Sequence, residues 1–268
     1  MRIPIPSKGQ RFRLTIGFSV SRPITLILVG KDAEKSNTTY ISREVVIGRK
    51  YFKNGIGYRE INIPFPLAPQ FMMLNIWDKN SIGRDTFEVS KFKLSSMESR
   101  AIWEHEDIHD FIPFANWFAQ KAGVLPVGIY ESSDYKYLID YTPVIKEDNG
   151  LPLVTPARTS RINGRIEASQ HHFTALSVPI RWFILMHERK HFQLPTRVEK
   201  VADLTALKVF LDFGFPKVEA IYACTLAMQA ETNVAKKAKL IRLKDIHQFI
   251  EEYINTNAVH KTTNNIAA

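Results

Sequence analysis

The spacing of apolar residues changes period once along this chain, near Ser95-Ser96, and that change limits the fold more than any other feature. Before it, apolar positions alternate or come in short runs. Residues 11–20 and 86–94 alternate, and residues 24–29, 58–63 and 71–77 are short buried runs. Turn formers separate them at 30–32, 53–57, 64–69 and 78–83. Six or so short strands of this kind predict a small antiparallel β-sandwich over residues 1–98. No residue in it carries an obvious chemistry, and the expected role is docking or structural.

Beyond residue 98 the pattern turns helical, so the expected fold class is α+β, with a second unit over residues 99–255. Residues 108–122 are aromatic and helical from Pro113, with Gly123 placed to cap the C-terminus. Residues 127–131 and 135–141 read as a hairpin, 147–152 as a turn-rich loop and 161–168 as a strand. Four helices follow. The first starts near Ser177, with Pro179 in its first turn, and ends at Pro195; the second runs from Thr196 to Gly214. The third runs from Pro216 to about Glu231 and the fourth covers 245–254, leaving 256–268 as an expected flexible tail.

Composition narrows the class further. With 45% apolar residues in a chain of 268, there is enough material for a proper core. The 36 Lys and Arg against 27 Asp and Glu give a net charge of +9, but the basic residues are scattered rather than gathered into a stripe among aromatics. A solvated basic surface is the favoured reading, and nucleic acid is disfavoured as a partner. The single cysteine, Cys224, excludes an internal disulfide and reads as a small core residue. The opening Met-Arg-Ile-Pro-Ile-Pro lacks the apolar core of a secretory signal, and no apolar run approaches the roughly 20 residues of a membrane span. The expectation is a soluble protein of a reducing compartment, cytoplasmic or within a large assembly, with no transmembrane segment.

The chemistry concentrates in residues 182–203. On a helix, a rotation of about 100° per residue puts His187 and His191 on one face, one turn apart, where two imidazoles can share a metal. Glu188 lies at the edge of that face, within reach of a water at the metal without being a ligand. The break at Leu194-Pro195 is short, so the next helix should pack antiparallel, bringing Glu199 beside His191 and Asp203 level with His187. Asp203 is then placed to accept the second ring N–H of a ligand histidine. The same spacing occurs upstream at His105-Glu106-Asp107-Ile108-His109, among charges and without an apolar lead-in, where it reads as a surface segment.

His187-Glu-Arg-Lys-His191 followed by Glu199-Lys-Val-Ala-Asp203 resembles the gluzincin class of zinc metallopeptidases, which share His-Glu-x-x-His and a later Glu-x-x-x-Asp helix. The Glu-x-x-Ala-Asp form after Arg197 looks most like the Ste24-type and related soluble peptidases. The resemblance implies a zincin-like, thermolysin-like domain over 99–255, Zn2+ held by His187, His191 and Glu199, Glu188 as general base and Asp203 behind the ligands. It implies a protein or peptide substrate, aligned along a sheet edge formed by the strand near Gly164 to Ala168. Two features depart from the class. Arg189 and Lys190 stand where its members usually carry uncharged residues, and the linker from His191 to Glu199 is shorter than in most.

A second reading of the same residues exists, since Thr196-Arg-Val-Glu199 is itself a capping box in which Glu199 would bond back to the Thr196 N–H. It accounts for Glu199 alone and leaves Glu188, both histidines and Asp203 unexplained. With zinc bound, the pKa of a water in the open position would fall far below that of bulk water, to roughly 7, and Glu188 would take its proton. Tyr222 and His247 are candidate oxyanion donors, with aromatic core packing the competing role for Tyr222. His171-His172 either lines the cleft or belongs to a loop. The expected function is zinc-dependent peptide-bond hydrolysis, with a larger assembly reached through the N-terminal unit. The alternative is a non-catalytic structural or assembly component, for example of a virus particle, that keeps a zincin-like fold.

Overall fold

A computed structural model describes residues 1–81, 86–97, 105–230 and 236–264. The end of the turn read at 78–83, the unit boundary at 98 and the helix end expected at Glu231 lie outside the described residues. The described chain is mixed α+β, with six helices and three mostly antiparallel four-stranded sheets. The first sheet has the order β1 (Arg2–Ile5), β7 (Met72–Asp78), β3 (Ile24–Asp32) and β4 (Thr39–Ile47). The second has the order β5 (Phe52–Lys53), β6 (Ile56–Phe65), β2 (Phe12–Val20) and β8 (Phe87–Ser96). Alternation decides which faces are buried. Every second residue of β3 is buried, and on β2 Leu14 and Ile16 sit opposite Ile63 and Ile61 of β6. Buried residues of both sheets belong to one apolar cluster that continues into the helices.

The third sheet has the order β11 (Ala157–Thr159), β12 (Ile166–Ser169), β10 (Leu138–Thr142) and β9 (Gly128–Glu131). β10 and β12 are parallel; the other pairs are antiparallel. The strand expected at the sheet edge, near Gly164 to Ala168, is instead an interior one, because β11 pairs along its free side. β11 is three residues long and escapes a periodicity reading for that reason.

The helices are α1 (Phe111–Lys121), α2 (Gln170–Ala175), α3 (Val178–Gln193), α4 (Glu199–Phe213), α5 (Lys217–Ala230) and α6 (Lys236–Asn264). α4 starts at Glu199 rather than Thr196, and α6 continues to Asn264, through residues read from sequence as a flexible tail. Once nucleated, a helix propagates cheaply through polar residues. No helix among the described residues is long and apolar enough to cross a membrane.

α3 is the centre of the molecule. Every residue from Val178 to Glu188 is buried, as expected of a helix enclosed on all sides rather than one with a single apolar stripe. It packs against α1, α4, α5, β11, β12 and β4. Trp182 donates its indole N–H to Asn116 of α1 at 2.7 Å. The fully buried Arg181 donates to the Phe173 carbonyl at 2.5 Å and the Ala119 carbonyl at 3.1 Å, two acceptors near helix ends. The N-terminal sheets are tied to this helical layer through Tyr40 Oη on Gln120 at 3.0 Å, Asn37 on the Gly123 carbonyl at 2.6 Å, and the Arg43–Glu219 pair at 3.5 Å.

Candidate metal centre

The short link after α3 turns the chain back so that the start of α4 meets the end of α3. His187 and His191 are neighbours on one helix face, with Nε2 atoms 3.0 Å apart. Glu199, the first residue of α4, places Oε2 3.3 Å from His187 Nε2 and Oε1 3.4 Å from His191 Nε2. Ligands in a tetrahedron around zinc, at bond lengths of roughly 2.0–2.2 Å, stand about 3.3–3.6 Å from one another. The His187, His191 and Glu199 donor atoms therefore form a group within metal-binding distance.

Both rings are oriented from behind. His191 Nδ1 is 3.0 Å from the Thr196 carbonyl oxygen, which fixes its Nδ1–H tautomer when neutral and turns Nε2 to the centre. His187 Nδ1 is 3.1 Å from Asp203 Oδ1, an oblique contact at ion-pair distance. Asp203 is itself held by Arg242 of α6, whose Nε donates to Oδ2 at 2.6 Å while Nη2 stands 3.4 Å from Glu199 Oε2. Arg242 lies 39 residues beyond Asp203, and nothing local in the sequence announces it. Thr196 does not cap through Glu199. Its Oγ accepts the Val198 N–H at 3.0 Å, and α4 has no side-chain cap.

The electrostatics are those of a site that holds protons where a cation would go. Burial pushes the His187 imidazolium down, but the Asp203 and Glu199 carboxylates outweigh it and carry its pKa up to about 10. His191, opposed by burial in the same way, is raised chiefly by Glu199. Burial works against the charged forms of Glu199 and Asp203 too, yet the imidazoles hold both carboxyls below their usual range, and Arg242 assists at Asp203.

The group lines a cleft of about 330 Å³ between α3 and β11. Glu188 faces the same cleft and is buried. Its pKa is raised, first by burial and then by Glu199, against the pull of the two histidines. Tyr222 and His247 are not brought to the cleft. Tyr222 is exposed in a groove with Arg43 and Arg59, so it packs no core, and His247 lies on the exposed side of α6. His171 and His172 do not line the cleft either, and His172 Nδ1 is 2.9 Å from Ser169 Oγ.

Arg189 and Lys190, the two cations inside the motif, point away from the centre. Arg189 sits 4.9 Å from the Tyr137 ring and 5.5 Å from the rings of Phe111 and Phe192. Both cations meet one buried carboxylate, Asp107, at 3.4 Å for Arg189 and 3.0 Å for Lys190, and Gln193 donates to it at 2.8 and 2.9 Å. Asp107 belongs to the upstream His-Glu-x-x-His segment. The sequence signal for it was indirect, since two cations on a buried helix require an acid without saying which of the 27 supplies it.

Known protein families, curated proteins and solved structures were compared with the chain. None matches.

Proposed function

We propose that this protein is a zinc-dependent peptidase of gluzincin type, in which residues 1–98 form a sandwich and residues 99–255 a zincin-like domain. The observation that carries the reading is the convergence of His187 Nε2, His191 Nε2 and a Glu199 oxygen in the wall of a cleft that Glu188 shares. Two imidazoles and one carboxylate are a donor set suited to zinc, with coordination positions left for water and substrate. Zinc held there would supply Lewis acidity toward a peptide carbonyl and a water.

The chain supplies the rest. Asp203, braced by Arg242, and the Thr196 carbonyl keep both Nε2 atoms aimed at one point, so little reorganisation is needed on binding. Glu188 removes the proton from the attacking water and delivers it to the leaving amine. Its raised pKa suits both halves of that task, because a carboxyl moved toward neutral pH holds a proton long enough to hand it on.

Zinc analysis of the purified protein, together with hydrolysis of a broad peptide library, tests the reading. Wild type is expected to bind one zinc and cleave; Glu188→Gln is expected to keep the zinc and lose cleavage by about 10²–10⁴-fold. A folded protein that takes up no zinc, or wild type as inert as the variant, would leave the structural or assembly role as the better account.

A further inference from the structure

The cleft has two walls of different chemistry. α3 contributes the histidines, Glu188, and an apolar floor of Phe183 and Ile184. The facing wall, β11 and the turn after it, contributes Arg158 and Arg161. Among the described residues the carboxylates lining the cleft are Glu188, which is buried, and Glu199, which is engaged by the two histidines.

We propose that Arg161, in the wall facing the histidines, docks a carboxylate of the bound peptide, so that the preferred substrate carries negative charge close to the bond cleaved. This rests on the peptidase reading and names its substrate class. Arg161 is exposed, and no described carboxylate pairs with it. Arg158 is paired instead with Glu167, its cross-strand neighbour, Nε to carboxylate at 2.6 Å. The exposed, planar guanidinium of Arg161 at a cleft wall is matched to a carboxylate.

The turn that carries Arg161 is fixed relative to the metal centre. Gly164 closes it, donating its N–H to the Ser160 carbonyl at 2.8 Å with φ +71°, a conformation that favours glycine. Gly164 also lies against the ring of Phe192, the neighbour of His191, so closely that a Cβ there would come within 2.9 Å of it. The backbone of the turn is therefore seated on the helix that holds the histidines. A net charge of +9 adds long-range attraction for an acidic partner.

The carboxylate can be an Asp or Glu side chain or the free C-terminus of the peptide, and binding separates the two. Zinc-loaded Glu188→Gln protein, which cannot turn substrate over, is titrated by fluorescence anisotropy with labelled peptides of equal length. One is end-blocked with a central Glu, one end-blocked with Gln in its place, one end-blocked with Lys, and one neutral with a free C-terminus. The Glu peptide or the free-C-terminus peptide is expected to bind roughly tenfold tighter than the end-blocked Gln peptide, and Lys more weakly still. Adding Arg161→Glu, an exposed change that leaves the fold intact, should abolish or invert that order. Equal binding of all four peptides, no binding by any, or a preference that survives Arg161→Glu overturns the proposal. A wild-type enzyme that binds zinc yet cleaves nothing overturns the peptidase reading instead, and the binding series distinguishes the two failures.

Discussion

His105-Glu-Asp-Ile-His109 and His187-Glu-Arg-Lys-His191 have the same spacing, and the structure puts them to different uses. The downstream copy lies within a sixteen-residue α-helix, where four residues turn through about 400° and bring the rings back to one face. The upstream copy is wound through a three-residue 3-10 turn, Glu106–Ile108, entered from an extended His105. Three residues per turn would set positions four apart roughly 120° from each other. His105 accordingly goes to Asp212 of α4, at 2.8 Å, while His109 lines a separate groove with Trp117 and Asp134. What the upstream copy contributes is Asp107, the counter-charge of Arg189 and Lys190. The lesson is that a ligand spacing has meaning only at a stated helical pitch. It also shows that the departure at Arg189-Lys190 is compensated from 82 residues away.

The contrast can be broken most directly by deleting one histidine from each copy. His187→Ala should abolish zinc binding, whereas His105→Ala should leave one zinc per chain, both read by metal analysis; zinc loss in the second variant would mean that the upstream copy has a share in the site. Next in size is the counter-charge. Asp107→Asn leaves the buried Lys190 and the half-buried Arg189 beside a neutral amide and should cost about 3 kcal/mol of stability. Adding Arg189→Gln and Lys190→Gln should restore much of it in denaturant unfolding, a rescue that loss of packing alone would not show.

Asp203→Asn should weaken zinc affinity about 10–100-fold while leaving the upstream contacts intact, measured by competition with a chelator. A separate lever is pH. In the metal-free protein His187 and His191 are raised and favour their protonated forms, whereas zinc takes the neutral imidazole. Raising pH weakens the competing proton, so affinity should climb between pH 5.5 and 7.5, by up to about tenfold per unit for each proton released. An affinity independent of pH over that range would count against His187 and His191 as the ligands.

Much of the site was legible because it is local. His187, Glu188, His191, Glu199 and Asp203 fall on one helix, a short link and the next helix, so helical pitch and an antiparallel return suffice to bring Glu199 and Asp203 to the histidines. The strands at 11–20, 24–29, 58–63, 71–77 and 86–94 were legible through alternation, and each lies in a strand of the observed sheets. β4 lies where no such segment was singled out, and β1 and β11 are too short for a pattern to be statistically distinct. The oxyanion candidates Tyr222 and His247 show the limit from the other side. Both have suitable chemistry on helices near the site in sequence order, but each projects from a face turned away from the cleft.

The sequence by itself determined the change of period that divides strands from helices, and the residues of α3 and α4 that carry donor atoms. Those follow from interactions within a few residues along the chain, which periodicity records. Only the tertiary structure decided that Asp107 neutralises the motif's cations, that Arg242 braces Asp203, and that β11 rather than β12 is the free sheet edge. Each depends on segments distant along the chain meeting in a buried interior, where an unpaired charge is costly and pairing is enforced. No local pattern encodes which distant residue answers.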